Sequence, residues 1–285
     1  MSSPAFTVEH PLIVDQDFES DEEYASYLIH KRAYEEAMRR FAGLALCDWG
    51  CNTGYGTELL ADVARTIKAI DVSPRAVQVA RERLAPRGIE VTLYDGGRSP
   101  FADAEFDAVV SFQVIEHVPD IPAYLREIAR VLKPGGTAMF TTPNGVLRLH
   151  PGQKPWNPHH LREFSAAELG TALRGVFPHV EVYGMFGSGE VDALERARVT
   201  RARDSAEAAA ARARALERQA ASNDALKALI PGAALAWLRR LRQRGPQTGA
   251  PARRHVVSPR LGTGELGYVT ENLDASLDLM ALCRT

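Results

Sequence analysis

Short apolar runs alternate with longer amphipathic stretches along most of the chain, and this alternation predicts the order of elements. Leu44, Ala45 and Leu46 lead to Asp48, followed by Gly50, Gly54, Gly56 and a helix-forming stretch, so 44–60 reads as strand, tight glycine turn and helix. Upstream, 1–20 reads as an irregular acidic arm. Residues 21–41 form a helix with an acidic start and a basic end, as suits a helix dipole. Tyr24, Tyr27, Leu28, Tyr34 and Met38 give that helix a partial apolar stripe, and His30 and Arg32 are expected near the glycine turn. Downstream, a strand at 66–70 ends in Asp71, and Ser73-Pro74 opens the next helix. Further strands are expected at 89–94, 105–111, 137–141 and 180–186, with helices at 124–132 and 165–173 between them. Strand and helix in this rhythm predict an α/β fold with a doubly wound, mostly parallel, Rossmann-like sheet.

The region 190–245 breaks the rhythm. It is rich in Ala and Arg, with few β-branched residues, and predicts one long helix and then a second carrying Leu235, Trp237, Leu238 and Leu241, interrupted at Pro231-Gly232. The second helix has a basic side of Arg239, Arg240, Arg242 and Arg244. It reads either as a lid, docking or homodimer arm with a solvated face, or as a peripheral contact for anionic lipid headgroups or a glycolipid carrier. Residues 245–264 read as a flexible return loop. The expected division is an arm and helix at 1–42, a core at 43–187, the helical insertion and loop at 188–264, and a last core strand at 265–285.

Composition adds limits. The chain has 285 residues, 45% of them hydrophobic, enough for an ordinary buried core, and a net charge of −2 gives no global attraction to nucleic acid. No run of about 18 apolar residues occurs, and the acidic N-terminus lacks the pattern of a signal peptide, so a cytoplasmic protein is expected. Cys47, Cys51 and Cys283 make no metal or disulfide framework and read as reduced packing residues.

In a sheet of this kind ligands bind beyond the carboxyl ends of the strands, where Gly50, Asp71, Asp95, Gln113 and Asn144 are all expected. The turn spacing, Gly-x-x-x-Gly-x-Gly, differs from the Gly-x-Gly-x-x-Gly that cradles a dinucleotide pyrophosphate. It would let a ligand sit against bare amides. Asp71, 21 residues beyond Gly50, either accepts from both hydroxyls of a ribose or caps the following helix.

Four separated motifs, LCDWGCNTGYG, AIDVSPRAV, the pair LYDGG and FDAVVSFQVIEHV, and VLKPGGTAMFTTPN, resemble those of class I S-adenosylmethionine-dependent methyltransferases in order and spacing. The resemblance implies an antiparallel last strand at 277–284 beside strand six, with the helical insertion between strands six and seven. It places the methionine end of S-adenosyl-L-methionine near Asp48, Gly50, Cys51, Asn52 and Gly54, the ribose on Asp71, the adenine beside Val72, Asp95 and Gly96, and the sulfonium near Phe112 and Gln113. Asn52 stands where the family usually has a third glycine, and Asn tolerates left-handed φ better than most residues.

Gln113, Glu116 and His117 resemble the Glu-x-x-Glu-His of metal-dependent quinone-pathway and small-RNA ribose O-methyltransferases, whose further ligand would be His160 or else His159. Two catalytic arrangements stay open: a metal-free His117 base, or a divalent ion such as Mg or Mn on Glu116, His117 and His160. Gln113, an amide in place of a carboxylate, weakens the second. The segment NPHHLREF and the Pro143-Asn144 turn resemble enzymes acting on sugar hydroxyls. The implied reaction is therefore O-methylation of a small-molecule or glycan acceptor. Quinone or polyphenol O-methylation, RNA ribose methylation, and an inactive cofactor-binding partner are the alternatives.

Overall fold

The computed structural model describes residues 11–13, 15–227 and 256–285. The Ser20 hydroxyl accepts from the Glu23 amide at 3.2 Å and opens α1 (Asp21–Phe41), with three acids in the first turn and Arg39 and Arg40 in the last. Then follow β1 (Ala45–Trp49), α2 (Tyr55–Leu60), β2 (Thr66–Asp71), α3 (Pro74–Leu84), β3 (Glu90–Leu93), β4 (Phe106–Phe112), α4 (Ile121–Val131) and β5 (Leu132–Pro143). The chain continues through α5 (Gly145–Arg148), α6 (Ala166–Arg174), β6 (His179–Gly187), α7 (Gly189–Lys227), β7 (Leu266–Val269) and β8 (Asp278–Arg284). The sheet order is β3-β2-β1-β4-β5-β8-β6-β7. Strands β1 to β5 pair in parallel, whereas β8 runs antiparallel to both β5 and β6, so the expected doubly wound sheet with a reversed last strand is observed.

One core lies beneath α4 and α6 and includes Trp49, Ile128, Phe140 and Phe177. A second lies beneath α1 and α2 and includes Tyr34, Leu46, Leu60 and Met139. Strands buried on both faces explain the nearly continuous apolar runs of β1 and β4.

The C-terminal block departs from the expected single strand. Residues Leu266–Val269 form β7 on the sheet edge against β6, a four-residue strand too short and glycine-interrupted to show a periodic signal. Leu261 of the return loop is buried, the Ser258 amide donates to Asp21 Oδ1 at 2.9 Å, and the Thr263 hydroxyl donates to Glu35 Oε1 at 3.0 Å, so this part of the loop is fastened to α1. Arg32 likewise turns away from the glycine turn, its Nε donating to the Leu266 carbonyl at 3.0 Å.

The long helix of the insertion is α7, 39 residues. Its first turns belong to the molecular body: Val191 packs with Ala25, Leu28, Met185, Leu261 and Leu277, and Val199 is also buried. The second helix expected around Leu235 to Leu241, and its basic face, lie outside the described residues. Among the described residues no helix is long and apolar enough to cross a membrane.

The glycine turn is held by α1. The Tyr34 ring lies on α2, where a Cβ at Gly56 would meet Tyr34 Cζ at 1.9 Å, and the Tyr34 hydroxyl donates to Asp48 Oδ1 at 3.4 Å. Gly56→Ala is therefore expected to destabilise the protein by roughly 1–3 kcal/mol, read as a lower urea midpoint at unchanged m-value.

Candidate active site

A cavity of about 300 Å³ opens beyond the carboxyl ends of β1, β2 and β4. Gly50, Asn52, Asp71, Val72, Phe112 and Gln113 line it together with Glu116, His117 and His160, so most of the residues singled out in the sequence meet in one chamber. Gly50 has φ +85°, and a Cβ there would lie 2.4 Å from Val114 Cγ2, so the position needs glycine for two independent reasons.

The bare amides expected at the turn are not observed at its first residues. Gly50 and Cys51 both donate to the Ile70 carbonyl, at 2.8 and 3.1 Å, and Gly54 donates to the Cys51 carbonyl at 2.9 Å. Asp71 Oδ2 accepts from the Asn52 amide and Oδ1 from the Ser73 amide, each at 2.8 Å. One carboxylate thus both clamps the turn and faces the chamber.

Asn52 adopts φ +47°, the left-handed conformation expected of a glycine substitute. Its side chain has a second use. Asn52 Oδ1 accepts from the Ile13 amide at 2.9 Å and its Nδ2 donates to the Pro11 carbonyl at 3.1 Å, pinning the N-terminal arm beside the turn. Arg83 and Asp15 form a bidentate pair at 2.7 and 2.9 Å that fixes the arm further along.

Several expected contacts fall outside the cavity wall. Asp48 is fully buried below the turn, accepting from Thr57 at 2.6 Å and from Tyr34, and burial pushes its carboxyl up to about 7. Cys51 is buried against α3, and Gly54 serves as the left-handed N-cap of α2. Asp95 and Gly96 sit in an exposed turn that Asp95 closes on the Gly97 amide at 3.0 Å. Asn144 is fully buried and spends its Nδ2 on carbonyls of Leu273, Asp274 and Ser276, tying the end of β5 to the loop before β8.

At the other end the chain leaves β4 through Gln113 at φ +56° and a single 3-10 turn over Ile115–His117. Gln113 Nε2 donates to both carboxylate oxygens of buried Asp278, at 3.0 and 3.1 Å. A glutamate here would face another carboxylate at that distance, which accounts physically for the amide. Glu116 is wholly buried: Thr142 donates to its Oε2 at 3.0 Å, Oε1 has no hydrogen-bond partner, and burial raises its carboxyl to about 8. His117 Nδ1 lies 2.8 Å from the His159 carbonyl and so carries the proton, leaving Nε2 as the basic nitrogen, 4.0 Å from Glu116 Oε1.

The segment 157–161 is positioned by the Leu161 amide donating to the Glu116 carbonyl at 2.9 Å, and it brings the His160 ring to 4.7 Å from that of His117. His160 Nδ1 lies 2.9 Å from Glu163 Oε1, and Glu163 also accepts from Arg148 at 3.1 Å. Glu116, His117 and His160 each offer a ligand atom, all within 4.8 Å of one another. Three donors, one an unpartnered buried oxygen and one a histidine oriented by a carboxylate, suit a divalent ion. Ser26, His30, Arg148, Trp156 and Arg198 also line the cavity. Sequence reasoning passed over all but His30, because α1, α5, the loop carrying Trp156 and α7 lie apart in the chain and no motif joins them.

A family described as a methyltransferase domain matches residues 47–140. A probable S-adenosylmethionine-dependent methyltransferase of Mycolicibacterium smegmatis is 39% identical over 169 residues, covering 58% of this chain and 65% of that protein. A ubiquinone biosynthesis O-methyltransferase of Xanthomonas oryzae pv. oryzae is 32% identical over 171 residues, covering 53% of this chain and 70% of its own. The chain belongs to the class I S-adenosylmethionine-dependent methyltransferases. It spans less than two thirds of the mycobacterial relative's length. Among solved structures the cyclase SpnF has a TM-score of 0.50 at 19% identity, covering 92% of this chain and 80% of that one, a likeness of fold alone.

For a methyltransferase of this family the Asp71 end suits the cofactor, since it offers a carboxylate for ribose hydroxyls beside the apolar walls of Val72 and Phe112. Asp71→Ala is expected to weaken S-adenosylhomocysteine binding by roughly 10- to 100-fold in calorimetry, the worth of charge-assisted hydrogen bonds. Glu116 generates a prediction in pH. Its folded pKa of about 8 exceeds its ordinary 4.5, so its stabilising contribution is complete below pH 4.5 and is lost as pH rises through about 8. With a chelator present, the melting temperature of Glu116→Gln minus that of the natural protein should therefore rise between about pH 5 and 8 and level off above.

Proposed function

We propose that the protein transfers the methyl group of S-adenosylmethionine to a hydroxyl of a small-molecule acceptor. The reading is carried by the His117 tautomer: its Nδ1–H is spent on the His159 carbonyl, which leaves Nε2 basic at the chamber wall beside Glu116. The bound cofactor supplies an already activated methyl group on a sulfonium. The chain's own residues must then align the acceptor oxygen and accept its proton. His117 Nε2 takes that proton, 4.0 Å from the buried Glu116 carboxyl, which gives the resulting imidazolium a counter-charge once it releases its own proton. Pro11 and Ile13, held by Asn52, and the half-buried Trp156 limit water in the chamber.

A second reading is favoured by the unpartnered Glu116 Oε1 and the carboxylate-oriented His160. Glu116, His117 and His160 would hold a divalent ion, whose Lewis acidity lowers the acceptor's pKa. In that case His117 Nε2 is a ligand rather than a base. A sugar hydroxyl is the acceptor implied by the NPHHLREF resemblance, while the name of the Xanthomonas relative favours a ring hydroxyl of a quinone precursor. Both belong in an acceptor panel.

His117→Ala is expected to lower turnover by about 10²- to 10⁴-fold while leaving S-adenosylhomocysteine affinity nearly unchanged. Turnover that survives exhaustive chelation assigns the step to His117 alone. Turnover lost on chelation and restored by Mg or Mn assigns it to the three-ligand site. No turnover on any acceptor, with the cofactor bound, overturns the reading.

A further inference from the structure

The chamber wall built by α1, α7 and Trp156 is chemically unlike the rest. Arg148 and Arg198 flank the Trp156 indole, their guanidinium carbons 4.2 and 6.0 Å from the ring centroid. Each is fixed by a carboxylate that does not line the cavity: Glu163 takes Arg148 Nε at 3.1 Å, and Glu195 takes Arg198 Nε and Nη2 at 2.7 and 2.6 Å. The cations stand in front and their counter-charges behind. Arg198 Nη1 has no acceptor among the described residues, and the half-buried His30 ring makes no hydrogen bond among them either. Burial and the nearby Arg198 hold His30 down to about 4, so it is neutral at physiological pH. The carboxylates that do line the chamber are Asp71, engaged by two amides, and Glu116, whose burial favours its neutral form.

An ion pair serving only to anchor α7 does not account for a cavity-lining arginine with an unbonded Nη1 beside an unbonded histidine and an indole. We propose that Arg198, His30 and Trp156 form a subsite for an anionic group, a carboxylate or a phosphate, carried by the methyl acceptor. This rests on the methyl-transfer reading above and narrows its substrate class: the acceptor is a hydroxylated anion. Glu195 aligns the fork, Arg198 Nη1 and the His30 ring donate to the anion, and Trp156 covers the carbon frame beside it. Held there, the anion fixes which hydroxyl reaches His117.

The test uses full-length protein saturated with S-adenosylhomocysteine, titrated with inorganic phosphate or with acetate at an ionic strength held constant with chloride. Calorimetry and the ring resonances of His30 are the readouts. Phosphate or acetate should bind and shift His30, and affinity should fall roughly tenfold or more in Arg198→Gln. Arg198→Lys, which keeps the charge and loses the fork, should fall in between. A response to phosphate alone identifies a phosphorylated acceptor, and a response to acetate alone a carboxylated one. The proposal is overturned if neither anion moves His30 beyond chloride, or if Arg198→Gln binds them as the natural protein does. Should Arg198→Gln fail to fold, the His30 response of the natural protein decides. Failure of the natural protein to bind S-adenosylhomocysteine would instead overturn the methyltransferase reading, so the two failures are separable.

Discussion

The close approach of β1, β2 and β4 at the glycine turn is the constraint from which the site follows. Gly50 lies so near Val114 that no side chain fits, and its amide and that of Cys51 converge on one carbonyl of β2. Below the turn, buried Asp48 collects hydroxyls from α1 and α2. Above it, Asp71 collects two amides. The turn is therefore braced by hydrogen bonds from both sides, and the carboxylate that clamps it from above also lines the chamber.

The opposite wall works by burial rather than closeness. Glu116 is taken wholly out of water with only Thr142 to satisfy it, which is costly for a carboxylate and is eased by its keeping a proton. The backbone of 157–161 pays part of that cost by docking on the same turn, and in doing so it fixes the tautomer of His117 and delivers His160. Gln113, drawn aside by Asp278, separates the two walls.

The fold was legible because the strands of a doubly covered sheet are continuous apolar runs, and because the turns between them carry glycine and acid at set distances. The meeting of Gly50, Asp71, Gln113, Glu116, His117 and His160 followed from that order. Burial was not legible: the pattern gives Asp48 and Asp71 the same strand-end position, yet one is sealed under Tyr34 and the other opens to the chamber. Nor could the pattern show that Asn52, read as a tolerated glycine substitute, uses its amide to hold Pro11 and Ile13, a contact across about forty residues. β7 escaped because four residues are too few for a period.

The chamber's two ends have different ancestries within the chain. The Asp71 end is assembled from consecutive strand-to-helix turns, so nearly any change there disturbs the sheet that carries it. Ser26, His30, Trp156 and Arg198 come from a leading helix, a surface loop and an inserted helix, none of which contributes a strand to the sheet. Those four positions can therefore be varied with less disturbance to the sheet than the turns at the Asp71 end, and they form a natural library for a laboratory search that reshapes this wall.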